Sequence, residues 1–125
     1  MTTVPPRGIS VLIVEDEAMI RMMVADMLEE LGYGVAAEAG DIDDGVRLAQ
    51  SADYGIALLD VNLNGRTVGP VAAAVAARNL PFVFASGYGA QGLPDEFRDR
   101  PALQKPFQME ALAAALEQAL KRAAA

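Results

Sequence analysis

The chain has 125 residues, of which 53% are hydrophobic and 22% charged, a composition that fits one folded domain with one hydrophobic core. Its 17 acidic and 10 basic residues give a formal net charge of −7, which argues against nucleic acid as a partner. Cysteine and histidine are absent, which excludes disulfides, thiolate or imidazole metal sites and Ser-His-Asp catalysis, so any metal must be held by oxygen atoms, as Mg²⁺, Ca²⁺ and Mn²⁺ are.

The beginning of the chain carries no targeting signal. Residues 1–8 lack the apolar stretch of a signal peptide, and we interpret them as a disordered lead-in. No apolar segment approaches the ~20 residues that a membrane span requires. The sequence therefore predicts a cytoplasmic protein without a membrane partner, whose folded domain covers residues 9–122.

The first half of the chain alternates short apolar runs with helical segments. The β-branched run Ser10–Val14 predicts a strand buried on both faces. Asp16 is placed to cap a helix over residues 17–31, which ends at Gly32. The next predicted elements are a weak strand at 34–38, a helix from its cap Asp41 to about Ser51, and a strand at 55–59.

The second half continues the alternation. The predicted elements are a loop with Gly65 at 62–67, an alanine-rich helix at 68–79, strands at 81–85 and 101–104, and a last helix at 108–122. Between the last two strands, glycines and a proline crowd the segment 87–94, and only 95–98 has helical character. This segment is predicted to be a short, mobile helix or a loop.

The βα alternation occurs five times, which predicts an α/β fold. Alternating strands and helices imply a parallel sheet covered by helices on both faces, the doubly wound (βα)5 arrangement. In such sheets, functional sites form at the carboxyl ends of the strands. The sequence therefore directs attention to the residues that follow each strand.

Polar and charged side chains follow four of the five predicted strands. They are Glu15, Asp16, Asp60, Ser86 and Lys105. Singly, each has an ordinary interpretation, since such an aspartate is usually a cap or turn residue and a lysine is usually on the surface. Together they predict clustered carboxylates that repel one another unless a divalent cation such as Mg²⁺ binds. With an ammonium group beside it, one carboxylate of such a cluster becomes a candidate phosphoryl acceptor.

These residues and their order resemble the receiver domain of bacterial two-component response regulators, over about Ser10 to Arg122. The resemblance implies a flavodoxin-like sheet with strand order 2-1-3-4-5. It also implies a stand-alone phosphorelay module that signals by protein–protein contact or phosphate relay. The implied partners are a sensor histidine kinase and, further, a histidine phosphotransfer protein or another response regulator. Such a module is not an enzyme for an external substrate.

The resemblance assigns roles to individual residues. Asp60 would accept the phosphoryl group, Ser86 would be the switch hydroxyl, and Lys105 would pair with the phosphate. The cofactor would be Mg²⁺. Its implied ligands are Asp16 directly, Glu15 through water, Asn62 through its backbone carbonyl, and also Asp60.

Two departures from the family pattern point to a narrower resemblance. Glu15 stands where Asp is common, and Ala102 replaces the aromatic residue three positions before the lysine. The run 82–88 resembles the Phe-Ala-Thr-Gly-hydrophobic-Tyr signature of an alphaproteobacterial subfamily, with serine for threonine and Gly89 at the tyrosine position. That subfamily implies an HWE-type histidine kinase and a role in the general stress response.

Two other functions stay open on the sequence. A pseudo-receiver would bind partners without phosphorylation, although the acidic residues and Lys105 argue against it. An aspartyl-phosphate hydrolase would also use a strand-end aspartate with Mg²⁺, but it needs a second aspartate as general acid where Asn62 stands.

Two hypotheses concern signalling. Phosphorylation of Asp60 would draw Ser86 toward the phosphate and order the glycine-rich segment 87–94. The first helix would offer Met19 and Met22 as a docking face for a kinase helix, because methionine suits adaptable contacts. Met22 lies roughly opposite the apolar core stripe of this helix, and Met19 lies to one side of it. The alternative is a surplus of exposed apolar residues. The core stripe itself comprises Ile20, Val24, Met27, Leu28 and Leu31.

Overall fold

The apolar runs of the sequence form a parallel sheet in a computed structural model that describes residues 8–87, 93, 95–97 and 99–124. The strands are β1 (Ser10–Val14), β2 (Gly34–Ala39), β3 (Ile56–Asp60), β4 (Asn62–Leu63), β5 (Arg66–Thr67), β6 (Phe82–Ser86) and β7 (Ala102–Gln104). The helices are α1 (Ala18–Glu30), α2 (Ile42–Ser51), α3 (Gly69–Ala77) and α4 (Met109–Ala124). The main sheet has the order β2-β1-β3-β6-β7. This order confirms the predicted 2-1-3-4-5, because β6 and β7 are its fourth and fifth strands.

Helices cover both faces of the sheet. Alternation along β1 sends Leu12 and Val14 into a core shared with α2 and α3, whereas Val11 and Ile13 pack with α1 and α4. All four side chains are buried. This two-sided burial explains why the strand reads as a continuous apolar run rather than an alternating one. None of the helices in the described part of the chain is long and apolar enough to cross a membrane.

The ends of the first two helices test the predicted caps. Helix α1 ends as predicted, because Gly32 adopts φ 94° and the amides of Gly32 and Tyr33 donate to the carbonyls of Glu29 and Leu28. Helix α2 is capped as predicted, with the Asp44 amide donating to the Asp41 carboxylate at 2.8 Å. The predicted cap of α1 is wrong. The N-cap residue is Glu17, without a side-chain hydrogen bond, and Asp16 is used elsewhere.

The predicted loop at 62–67 is instead a small antiparallel hairpin. Strands β4 and β5 pair Asn62 with Thr67 and Leu63 with Arg66. The two residues between them, Asn64 and Gly65, have φ values of 52° and 84°. A two-residue turn with both φ values positive favours Asn-Gly. That dipeptide in the sequence is a hairpin signal that the loop prediction overlooked.

The segment between β6 and β7 is described only in part. A 3₁₀ turn at Asp95–Phe97 occupies most of the predicted helical stretch 95–98. Phe97 is buried and packs edge-on against Phe82, with ring centroids 5.4 Å apart. Residues 88–92 and 94, with most of the predicted mobile segment, and residues 1–7 of the predicted lead-in lie outside the described residues.

Candidate functional site

The carboxyl ends of the main-sheet strands bring the predicted polar residues together. Glu15, Asp60 and Ser86 are buried there, and Asp16 is partly buried. One carboxylate oxygen from each of Glu15, Asp16 and Asp60 lies within 4.8 Å of the others. Parallel strands explain this convergence, because all of them end at the same edge of the sheet.

Lys105 projects into this acidic cluster. Its Nζ lies 3.0 Å from Glu15 Oε1 and 3.5 Å from Asp60 Oδ2. Its backbone amide donates to the Ser86 carbonyl at 2.9 Å, and the peptide bond to Pro106 is cis. The lysine is therefore not an ordinary surface residue, and its shorter contact is with Glu15 rather than Asp60.

The carboxyl group of Glu15 has an unusual electrostatic environment. Its Oε2 accepts a hydrogen bond from the Glu17 amide at 3.0 Å. Burial, with hydrogen bonding to Asp16 and the charge of Asp60, raises the pKa of Glu15 from 4.5 to about 7. The Glu17 amide and Lys105 oppose this rise. Near neutral pH, the cluster therefore retains a proton on Glu15 for part of the time.

The pKa values of Asp60 and Lys105 show the same competition between burial and pairing. Burial raises the pKa of Asp60, and the charge of Lys105 only partly offsets this rise. Burial alone would lower the pKa of Lys105, but its hydrogen bond to Glu15 and the charge of Asp60 raise it overall. The ammonium group therefore stays protonated beside a carboxyl cluster that is costly to ionise fully.

The β4–β5 hairpin contributes contacts that sequence reasoning missed. The Asn64 amide donates to Asp16 Oδ2 at 3.0 Å. Partial burial would raise the pKa of Asp16, but hydrogen bonds with Glu15 and Asn64 lower it overall. The Gly65 amide donates to Asn62 Oδ1 at 2.8 Å. The side chain of Asn62 thus closes the hairpin. Its amide has no acidic proton, so it cannot act as the general acid that a hydrolase would need here.

Arg21 of α1 is a second residue that sequence reasoning missed. Its Nη1 donates to the Glu15 carbonyl at 2.7 Å, and its Nε lies 3.5 Å from Glu38 Oε1. Helical spacing alone shows only that Arg21 lies one turn beyond Glu17. No sequence signal indicates that the guanidinium reaches the turn after β1.

The donor set fits a hard divalent cation. Three carboxylates meet within 4.8 Å, and two of them have raised pKa values. Burial is the largest cause of these raised pKa values, and the charge of neighbouring carboxylates adds to it. A cation would stabilise the ionised carboxylates, and Mg²⁺ prefers a few carboxylates with water and phosphate oxygens. The backbone carbonyl of Asn62 remains a predicted ligand.

An open cavity of about 140 Å³ adjoins Asp60. It is lined by Asp60, Val61, Asn62, Gly65, Arg66, Thr67, Ser86 and Gly87. The hairpin forms one wall, and the end of β6 forms another. Asp60 and Ser86 therefore border the same open space.

The raised pKa of Glu15 predicts that the metal-free protein loses stability as pH rises. Between 4.5 and about 7, the folded state keeps a proton that the unfolded chain has released. The stabilisation is therefore complete below 4.5 and is lost as pH rises through about 7. We expect the free energy of unfolding to fall by roughly 3 kcal/mol at most, measured by urea denaturation in EDTA from pH 5 to pH 8.

Glu15→Gln is the control for this pH dependence. The chain has no histidine, so few other groups titrate in this pH window. The variant should flatten the profile. An equally steep profile in Glu15→Gln would assign the proton to another group.

The sequence of this chain matches a known protein family and a curated relative. The profile described as the response regulator receiver domain matches residues 11–117. The transcriptional regulatory protein PdtaR of Mycobacterium tuberculosis is 37% identical over 116 residues, which cover 90% of this chain and 57% of PdtaR. The chain thus spans little more than half the length of this curated relative.

Solved structures with a similar fold include those of two bacterial proteins. SdrG from Sphingomonas melonis Fr1 has a TM-score of 0.79 and 42% identity, with 90% of this chain and 96% of SdrG covered. The receiver domain of the PhyR response regulator from Erythrobacter litoralis has a TM-score of 0.82 and 25% identity, with 92% of each chain covered.

Proposed function

Since the chain belongs to the response regulator receiver domain family, we propose that Asp60 accepts a phosphoryl group from a sensor histidine kinase. The observation that carries this proposal is the position of Asp60. It is buried at the end of β3, 3.5 Å from the Lys105 ammonium and within 4.8 Å of two other carboxylates. A single aspartate in such a setting can act as a nucleophile whose product charge is matched by a nearby cation.

The proposed transfer uses this chain's residues in distinct roles. A carboxylate oxygen of Asp60 forms the new P–O bond as the P–N bond of the donor phosphohistidine breaks. Lys105 is close enough to move from Glu15 to an oxygen of the transferred group. Ser86 lies on the cavity wall, and its hydroxyl would donate a hydrogen bond to another phosphoryl oxygen. Ordering of segment 87–94 after this contact remains part of the proposal.

The same proposal includes Mg²⁺ as the cofactor. Asp16 and Asp60 would bind it directly, Glu15 through water and Asn62 through its backbone carbonyl. When bound, the cation would neutralise charge on the phosphoryl oxygens during transfer. The protein's contribution is to hold the carboxylates at the required spacing, with Asp16 fixed by the Asn64 amide.

A groove beside Lys105 is proposed as the docking surface for the kinase. It has a volume of about 280 Å³ and is lined by Ile20, Met23, Val24, Met27, Lys105, Pro106 and Phe107. Met23, which lines the groove, is 55% exposed, and α1 also exposes Met19 (81%) and Met22 (65%) outside the groove lining. Lys105 belongs to both the groove and the acidic cluster. A helix seated in the groove would therefore present a phosphohistidine close to Asp60.

Met19→Lys and Met22→Lys should each slow phosphotransfer from the kinase about tenfold, because a charge replaces apolar contact area. Rapid-quench phosphotransfer measures this rate, and circular dichroism confirms that the variants fold. Gln50→Lys adds the same charge to exposed α2, which packs on the opposite face of the sheet, and should leave the rate unchanged. Rates equal to that of wild type in both Met19→Lys and Met22→Lys would rule out docking through these two methionines.

The identity of the partners forms the finer part of the proposal. The run Phe82–Ser86 followed by Gly87 supports an HWE-type kinase and a role in the general stress response, through its resemblance to the alphaproteobacterial signature. The output would be protein–protein contact or relay to a histidine phosphotransfer protein. Each candidate kinase can be ranked by its transfer rate to this chain.

Amide NMR with Mg²⁺ and then beryllofluoride tests the proposed function. Beryllofluoride mimics a phosphoryl group bound to a carboxylate. We expect shifts at Asp16, Asp60, Ser86 and Lys105 that depend on Mg²⁺ and vanish in Asp60→Asn. A protein that responds to neither reagent would instead support the pseudo-receiver, which binds partners without phosphorylation.

A further inference from the structure

Arg21 joins three elements at the turn that carries the acidic pair. Its Nη1 donates to the Glu15 carbonyl at 2.7 Å, just beyond the end of β1. Its Nε is 3.5 Å from Glu38 Oε1 on β2. The arginine itself lies on α1, and its side chain is largely buried, with 23% exposed. A purely solvated surface arginine would make neither contact so close to the site.

The backbone of Glu15 is held on both sides. Its amide donates to the Ala39 carbonyl at 3.0 Å, while its carbonyl accepts from Arg21. This carbonyl belongs to the peptide that joins Glu15 to Asp16. Fixing that peptide therefore limits rotation of both residues whose carboxylates meet Asp60. Outer contacts of this kind orient ligands without touching the metal.

Gly40 leaves the space that the guanidinium occupies. A Cβ atom at residue 40 would lie 2.9 Å from Arg21 Nη1 and 3.9 Å from the Glu15 carbonyl oxygen. The first distance is too short for a van der Waals contact, so an alanine would displace the flexible end of Arg21. The backbone of Gly40 does not adopt a left-handed conformation, so it can accept alanine without strain.

We propose that Arg21, accommodated by Gly40, is a positioning residue for the divalent-cation site of Glu15, Asp16 and Asp60. The inference rests on the proposed function. Arg21 would act through the Glu15 peptide, not by contact with the cation. This role explains why the positively charged guanidinium of Arg21 lies beside an acidic cluster that must attract a divalent metal ion.

Charge and position predict opposite effects of removing Arg21. Loss of a positive charge near the cluster would, by Coulomb attraction alone, tighten Mg²⁺ binding. Loss of the hydrogen bond to the Glu15 carbonyl would loosen the turn and weaken binding. Substitution of outer contacts at metal sites typically weakens affinity by about 10–100-fold. The sign of the change therefore separates the two explanations.

The test is a Mg²⁺ titration of the full chain, in which the NMR chemical shifts of the Asp16 and Asn64 amides report binding. Arg21→Ala should weaken Mg²⁺ binding about tenfold or more. Gly40→Ala, which retains the net charge but displaces the guanidinium, should weaken it in the same direction. Two controls accompany them. Arg47→Ala removes an exposed positive charge on α2, and Gly69→Ala places a Cβ no closer than 3.8 Å to Thr67 Oγ1. Both should bind within about twofold of wild type.

Unfolding in urea with EDTA shows whether each variant is folded before titration. If Arg21→Ala fails to fold, Gly40→Ala decides the question, because its backbone accepts the change. A folded Arg21→Ala that binds Mg²⁺ as tightly as wild type, or more tightly, would overturn the positioning role while the proposed function stands. A wild-type protein that does not bind Mg²⁺ would overturn both.

Discussion

Replacement of Asp60 by asparagine should abolish phosphoryl acceptance and also raise the stability of the metal-free protein. The acceptor oxygen is lost, so no P–O bond can form at this position. The variant also removes one of three carboxylates that meet within 4.8 Å, and burial already disfavours ionisation of Asp60. At pH 8 we expect the free energy of unfolding to rise by about 1 kcal/mol, a typical gain for a stabilising substitution.

Two measurements check the Asp60→Asn prediction. Intact-mass analysis after incubation with acetyl phosphate and Mg²⁺ reports phosphoryl incorporation, and urea denaturation in EDTA reports stability. Asp53→Asn makes the same chemical change at an exposed residue and should alter neither result. Residual incorporation would place the acceptor elsewhere. A less stable Asp60→Asn variant would mean that pairing with Lys105 outweighs repulsion within the cluster.

Lys105→Met should destabilise the metal-free protein and slow phosphotransfer. Lys105 is the cation 3.0 Å from Glu15 and 3.5 Å from Asp60, so its loss leaves two buried carboxyl groups without this partner. Breaking a fully buried pair costs about 3–5 kcal/mol, and the partial exposure of Lys105 reduces our expectation to roughly 2 kcal/mol at pH 8. Loss of a charge that faces the transferred group should slow transfer about a hundredfold.

The pH and Mg²⁺ dependence of Lys105→Met distinguish electrostatics from packing. At pH 5 Glu15 is largely protonated, since its pKa is about 7, and it then needs the ammonium less. The destabilisation should therefore shrink at pH 5, and Mg²⁺ should stabilise the variant more than wild type. Lys121→Met removes an exposed charge at the end of α4 and serves as the control. A loss of stability that is the same at both pH values would indicate lost packing of the lysine stem.

The architecture of the sheet was predictable from local patterns. The buried runs 11–14, 56–59 and 82–85 consist of apolar residues alone, so helices had to cover them on both faces of the sheet. Alternation with helical segments then implies parallel strands, whose carboxyl ends share one edge. For this reason Asp60 and Lys105 could be expected to meet although they are far apart in sequence.

Two predictions were wrong, each at a place where one local sequence pattern is compatible with two structures. Asp16 precedes a helix and therefore looked like its cap, but its carboxylate accepts from Asn64 instead. Asn64-Gly65 fits either a loop or a tight hairpin, and the structure adopts the hairpin. A long-range contact decides between such alternatives, because a side chain that finds a distant donor no longer serves its neighbours.

The sequence by itself determined the order of strands and helices, the edge at which the site forms and the residue types available there. Periodicity and the position of charges after apolar runs carry that information. Only the tertiary structure decided that Lys105 lies closer to Glu15 than to Asp60 and that Arg21 holds the Glu15 carbonyl. The two Lys105 distances differ by less than 1 Å, and the contacts of Lys105 and Arg21 join groups from separate elements. Packing of the whole domain sets such distances, and no local pattern encodes them.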